Sequence, residues 1–188
     1  AFYNCSNLVS ISLPEGVDRI SHSAFMGCSN LTSIIIPDNL QYIEPFAFNG
    51  CSNLSSIDIP NDVSVISESA FEGCGKLTEI VLPGNITFID KNLFKGCSGL
   101  TSILIPSAVT SIRSGAFSGC IELKEITLNN SLTTVEWDVF QNCTSLTSIA
   151  IPSSVTSLNW SAFAGCSNLT RIDISDLSKW IAIKFDGL

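Results

Sequence analysis

Histidine and basic residues are scarce in this chain. Its 188 residues include one histidine, His22, and nine lysines and arginines against seventeen acidic residues, for a formal net charge of −8. One histidine removes most nucleophile–base systems and most zinc ligand sets. The acidic balance argues against a nucleic-acid surface. No P-loop, dinucleotide-binding glycine pattern, zincin helix motif or calcium loop occurs. C-x-x-C and Cys–His pairs are missing as well, so neither a cofactor nor a metal is expected. No apolar run reaches the length of a membrane span. Charged residues make up only 14% of the chain and hydrophobic ones 45%. That balance requires a large buried core and excludes disorder.

What the chain does have is a repeat. Cys5, Cys28, Cys51, Cys74, Cys97, Cys120, Cys143 and Cys166 follow one another at intervals of 23 residues. A phenylalanine stands three residues before each cysteine, from Phe2 to Phe163, and a leucine three residues after, from Leu8 to Leu169. An isoleucine follows at the next fixed place, from Ile11 to Ile172. The units begin at residues 1, 24, 47, 70, 93, 116, 139 and 162 and read A-F-x-G-C-S-x-L-T-S-I-x-I-P-x-x-V-T-x-I-x-x-x. Eight units without insertion or deletion predict a single array over 1–188.

Within a unit, L-x-x-I-x-I-P alternates with period two and predicts a short strand that proline terminates. V-x-x-I predicts a second extended piece. Ala-Phe-x-Gly suits one tight helical turn, closed by glycines such as Gly27 and Gly119 in the left-handed region, with Asn142 standing in for glycine. Equivalent strands of successive coils should pair in parallel at ~4.8 Å and stack into a rod ~38 Å long. Leucine, isoleucine, phenylalanine and cysteine then form continuous buried columns. In such columns the cysteines are expected as free, buried thiols, because side chains of a parallel ladder point the same way and match a disulfide torsion poorly.

The phrase L-T-S-I-x-I-P-x-x-V-T-S-I-x-x-x-A-F-x-G-C-S-x-L resembles the BspA-like leucine-rich repeats over all eight units. The resemblance implies an α/β, right-handed solenoid of eight 23-residue coils, with a concave parallel sheet and short helical or 3-10 turns. It also implies a non-enzymatic, cell-surface or secreted module that binds protein, or a glycan, on a host or neighbouring cell. A monomer is expected. A structural stalk holding another domain away from the surface and an intracellular scaffold are the alternatives. Both ends look cut, which suggests a fragment of a larger protein.

Candidate contact residues come from the strand alternation. One outward column reads Ser12, Ile35, Asp58, Val81, Leu104, Thr127, Ala150 and Asp173, and its neighbour carries Glu79 and Glu125. Val81 and Leu104, rimmed by Glu79 and Glu125, form an apolar strip suited to protein contact. Ordinary β-propensity accounts for the same residues. On the opposite turn, Trp137 and Trp160 share one unit position and are expected to stack, either as an anchor for protein or sugar or as cover for a loop. Asp58 and Asp173 lie five units apart, ~24 Å at the strand spacing, too far for paired-carboxylate catalysis. His22, between Ser21 and Ser23, reads as a solvated surface residue.

Overall fold

The computed structural model describes residues 1–186, which wind into about seven turns of a parallel β-solenoid. Eight phenylalanines mark eight levels, and seven ring contacts join them from Phe2 to Phe163. Eight sequence units therefore correspond to seven intervals.

Two ladders of short strands run along the rod. The first consists of Ser10–Ser12, Ser33–Ile35, Ser102–Leu104, Glu125–Thr127, Ser148–Ile151 and Arg171–Ile174. The second consists of Arg19–Ile20, Tyr42–Ile43, Val65–Ile66, Phe88–Ile89, Ser111–Ile112, Thr134–Val135, Ser157–Asn159 and Lys184–Asp186. Pairing is parallel, and each residue faces its equivalent one unit on: Ser10 with Ser33, Tyr42 with Val65, Ser102 with Glu125. The register is set by the pleat. In Ser102–Leu104 the central Ile103 is buried while its neighbours are exposed, and a slip of one residue would turn the isoleucine column outward.

The expected helical turns are absent, which corrects the α/β assignment. Among the described residues the only helix is Leu177–Trp180. Ala-Phe-x-Gly is instead a run of tight turns, bounded on both sides by left-handed residues. Ser23 has φ +53° and Gly27 +75°, leaving three residues between them, too few for an α-helical ring. Backbone donors alternate along this stretch. Ala24, Met26 and Cys28 bond back within the coil to Ser21, Ser23 and Phe25, at 3.0, 3.2 and 3.0 Å. Ser23, Phe25 and Gly27 donate instead to Pro45, Ala47 and Asn49 of the next coil, at 3.0, 2.8 and 2.7 Å. Each turn thus behaves as a rung of a third ladder. The cap position is left-handed in every unit, and asparagine fills it twice, as Asn4 at φ +58° and Asn142 at +59°.

The helix explains the one irregular step. Ser157 pairs with Lys184, 27 residues on rather than 23, so the last coil carries four extra residues, the length of Leu177–Trp180. Asp176 caps it by accepting from the Ser178 and Lys179 amides.

Phenylalanine and cysteine organise the core. Successive rings lie 5.3 to 5.8 Å apart between centroids and within 13° of parallel. The cysteines are free, with Cys28 to Cys143 buried. Each thiol from Cys28 to Cys166 reaches one coil back: Cys51 Sγ donates to the Phe25 carbonyl at 3.1 Å and Cys97 Sγ to the Phe71 carbonyl at 3.1 Å. Burial raises Cys51 and Cys120 from 9.0 to about 12. It lifts Cys74 and Cys97 well above 9.0 as well. Cys143 is raised too, by its hydrogen bond with the Cys166 thiol and then by burial.

The raised values couple stability to alkaline pH. The unfolded chain releases these protons near 9.0 while the folded chain holds them to about 12 at Cys51 and Cys120. The folded state binds more protons in that window, so the contribution is complete below 9.0 and is lost as pH rises toward 12. Each thiol should remove about 1.4 kcal/mol per pH unit there. Urea midpoints are expected to fall between about pH 9 and pH 11. Replacing Cys51 and Cys120 together by alanine should flatten that fall, and an equal slope in the variant would count against the coupling.

Candidate ligand-binding face

The buried columns are nearly identical from coil to coil, so individuality is confined to outward-facing side chains. On the first ladder's outer face, Ile35, Val81 and Leu104 are 67%, 83% and 68% exposed. Val81 and Leu104 are neighbours, flanked by exposed Glu79, Ser102 and Glu125. The structure brings the four ladder candidates together on one face. Ile35 extends the apolar strip beyond Asp58, a member of the column whose exposure sequence reasoning left unused.

This face is not a continuous sheet. Ser56–Ile57–Asp58 and Glu79–Ile80–Val81 occupy strand positions but form no strand, although their isoleucines stay buried. Among the described residues no backbone hydrogen bond joins residues 56–58 to 79–81. A groove of about 160 Å³ opens between them, lined by Ser56, Asp58, Glu79 and Val81. A wider depression of about 470 Å³ lies further along, over Thr127, Ala150 and Asp173, with Glu125 and Asn130 on its walls. The Val81–Leu104 ridge separates the two. Two sequence signals mark the wider groove: Ala150 is the smallest side chain of its column, and Asn129 replaces the usual strand-ending proline. Asn129 Nδ2 donates to the Val109 carbonyl at 2.9 Å and to the Pro106 carbonyl, tying that loop to the preceding coil.

Electrostatically the face is acidic. Asp58, Glu79, Glu125 and Asp173 lie on its two outward columns, against Arg171 alone. Arg171 is already engaged by Asp173 at 2.8 Å.

On the opposite side the tryptophans depart from expectation. Trp137 and Trp160 are 50% and 56% exposed, but no ring contact joins them. Trp137 leans over the preceding coils, lining a cleft of about 210 Å³ with Lys91, Asn92, Ser114 and Gly115. Two small residues, Ser114 and Gly115, share this lining with the indole. Glu136 fixes the turn beneath by accepting from the Ser114 amide and hydroxyl at 3.0 and 2.8 Å. Along the second ladder, arginines lie over Tyr42 and Phe88. Arg19 lies 5.2 Å from the Tyr42 ring centre, and Arg113 lies 3.8 Å from that of Phe88. Arg113 also bonds Asp90 at 2.9 Å. His22 is exposed, its ring tilted against Phe46 at 5.5 Å.

Among the described residues no cluster of three or more histidine, cysteine or acidic side chains could hold a metal, and no helix is long and apolar enough to cross a membrane.

A parallel solenoid with a fixed core and a varied outer face defines a leucine-rich-repeat protein. The chain belongs to the BspA type leucine-rich repeat family, whose model matches residues 1–109 and 87–184. Such repeat arrays are typically protein-interaction modules and generally non-catalytic. Among solved structures, a leucine-rich repeat protein from Eubacterium ventriosum is similar at 28% identity and TM-score 0.77, over 85% of this chain and 43% of that one. The T. pallidum leucine-rich repeat protein is 27% identical with TM-score 0.65, over 89% and 71%. A leucine-rich cell surface protein from Faecalibacterium prausnitzii is 25% identical with TM-score 0.50, over 100% and 65%. No curated protein matches.

Face and core separate experimentally. Leu104→Asp should change stability by no more than about 0.5 kcal/mol, as surface substitutions do. Adjacent Ile103→Ala should cost about 2–5 kcal/mol. Chemical denaturation of both variants checks the contrast, and a comparable loss in Leu104→Asp would mean that its side chain supports the fold.

Proposed function

We propose that this chain is a non-enzymatic binding module that captures protein segments combining basic and apolar residues on the outer face of its first ladder, taken as the concave side of a right-handed solenoid. The observation that carries the reading is the Val81–Leu104 ridge, two large apolar side chains 83% and 68% exposed, between two grooves with acidic walls. Burying each side chain against a partner contributes about 1.5–3 kcal/mol. Four carboxylates against one engaged arginine favour a cationic partner and repel an anionic one. Glu79 and Glu125 are the polar contacts of this proposal, and Asp58 and Asp173 extend it along the grooves. A surface or secreted location is part of the same proposal, supported by family membership and by the cell surface protein of F. prausnitzii. The competing reading is a spacer, favoured by the 23-residue spacing kept from Cys5 to Cys166.

Selection from a random peptide display library tests the binding reading. Enriched peptides should combine lysine or arginine with apolar residues and lose affinity as salt rises. Val81→Asp with Leu104→Asp should weaken them at least about a hundredfold, close to 3 kcal/mol, without unfolding the rod. A spacer would enrich nothing beyond what the double variant retains.

A further inference from the structure

We infer that the cleft under Trp137, on the turn side of the rod, is a binding site for a neutral hexopyranose unit of a glycan. The cleft is separate from the ladder face and independent of the function proposed for it. Its lining combines one half-exposed indole with Lys91, Asn92, Asp138 and Gln141. Its volume, about 210 Å³, is on the scale of one sugar ring.

The chemistry of the lining selects the ligand. A pyranose offers a face of C–H groups, which an indole covers, and a rim of hydroxyls that both donate and accept. Trp137 supplies the platform, with half its surface open and no neighbouring ring competing for it. Around it, Asn92 and Gln141 offer amides that donate and accept, Lys91 donates, and Asp138 accepts. Among the described residues, Lys91 and Asp138 make no ion pair with any side chain. Lys95, also in the lining, is matched by Glu72 at 3.4 Å. Positive and negative groups therefore balance within the cleft, which favours an uncharged ligand over a carboxylated or sulfated one.

The floor depends on one glycine. Equivalent positions in neighbouring coils carry Asn92 and Asp138, whereas Gly115 has no side chain and a φ of +69°. A Cβ built there would press against Asn92 Oδ1, so a larger residue would push the Asn92 amide out of place. The backbone amide of Gly115 donates to the Trp137 carbonyl at 2.8 Å, fixing the indole's backbone above the opening. Ser118 Oγ lies 3.3 Å from Gln141 Oε1, which orients that amide and leaves its NH₂ as a donor. Trp160, one coil further on and 56% exposed, is not among the residues of this cleft, so its replacement serves as the control for Trp137.

Titration of the intact chain with maltotriose, cellotriose and tri-N-acetylchitotriose, followed by tryptophan emission and isothermal calorimetry, tests the assignment. At least one trisaccharide should give a saturable response. Trp137→Ala should abolish it, and Lys91→Ala with Gln141→Ala should weaken it at least about tenfold. Trp160→Ala should retain the affinity, and thermal melts should show all three variants folded. Three results would overturn the proposal: no saturable response to any of the sugars, affinity unchanged in Trp137→Ala, or binding confined to an acidic sugar such as sialyllactose.

Discussion

The rod depends on a shared acceptor. Each phenylalanine carbonyl from Phe2 to Phe140 receives the amide of its own coil's cysteine and the thiol of the next coil's cysteine. For Phe25 these distances are 3.0 Å from Cys28 N and 3.1 Å from Cys51 Sγ. For Phe71 they are 3.1 Å from Cys74 N and 3.1 Å from Cys97 Sγ. The carbonyl has two lone pairs, and this arrangement uses both without water. Cysteine suits the position because it is small and apolar enough to be buried and carries one weak donor. Alanine would leave half of the acceptor unused. A larger polar residue would need room that a fully buried column does not offer, since Cys28 to Cys143 are 0% exposed.

This acceptor makes the pitch strict. Thiol, ring and backbone contacts link residues of successive coils 26, 23 and 22 positions apart, so an insertion inside the turn would break all three together. The four-residue extension in the last coil is tolerated because it falls elsewhere, in Leu177–Trp180, between the two ladders. The alternating donors of the turn belong to the same logic. A helix would direct every amide along its own axis and leave none for the next coil. Left-handed residues at Ser23 and Gly27 prevent this, and every second amide bonds outward. The absence of helix is therefore how the turns take part in stacking.

Most of the fold was legible in the sequence because its interactions are periodic. Cysteine, phenylalanine and leucine at fixed spacing reveal the columns, and the period-two alternation around Ile103 reveals which side chains face outward. The turns were not legible. Ala-Phe-x-Gly has good local helical character, and the left-handed residue before the alanine is variously serine, phenylalanine, asparagine, glycine or aspartate, a set with no common signature. Phe46 at φ +59° is the least expected of these, since bulky residues rarely adopt that conformation. Stacking from the next coil imposes it. The outward columns were legible as lists but not as surfaces. The narrower groove lies where residues 56–58 and 79–81 fail to form paired strands, and the sequence there keeps the same isoleucines as its neighbours.

The division between fixed core and free surface also bears on how function is distributed. A coil contributes to stability through residues repeated in every unit, so substitutions on its outer columns cost the rod little. The two sides of the rod can then vary independently. On the ladder face, variation has produced exposed aliphatics among carboxylates, a combination that favours a cationic and apolar partner. On the turn side it has produced an indole beside Lys91, Asn92, Asp138 and Gln141, with charges of both signs. The difference follows from backbone geometry. Strand residues project at fixed intervals and make broad strips, whereas on the turn side small side chains such as Ser114 and Gly115 sit beside a large one, Trp137, and line a cleft with it. A single coil-level rule thus yields one extended surface and one local pocket, and their chemistries need share nothing beyond the core beneath them.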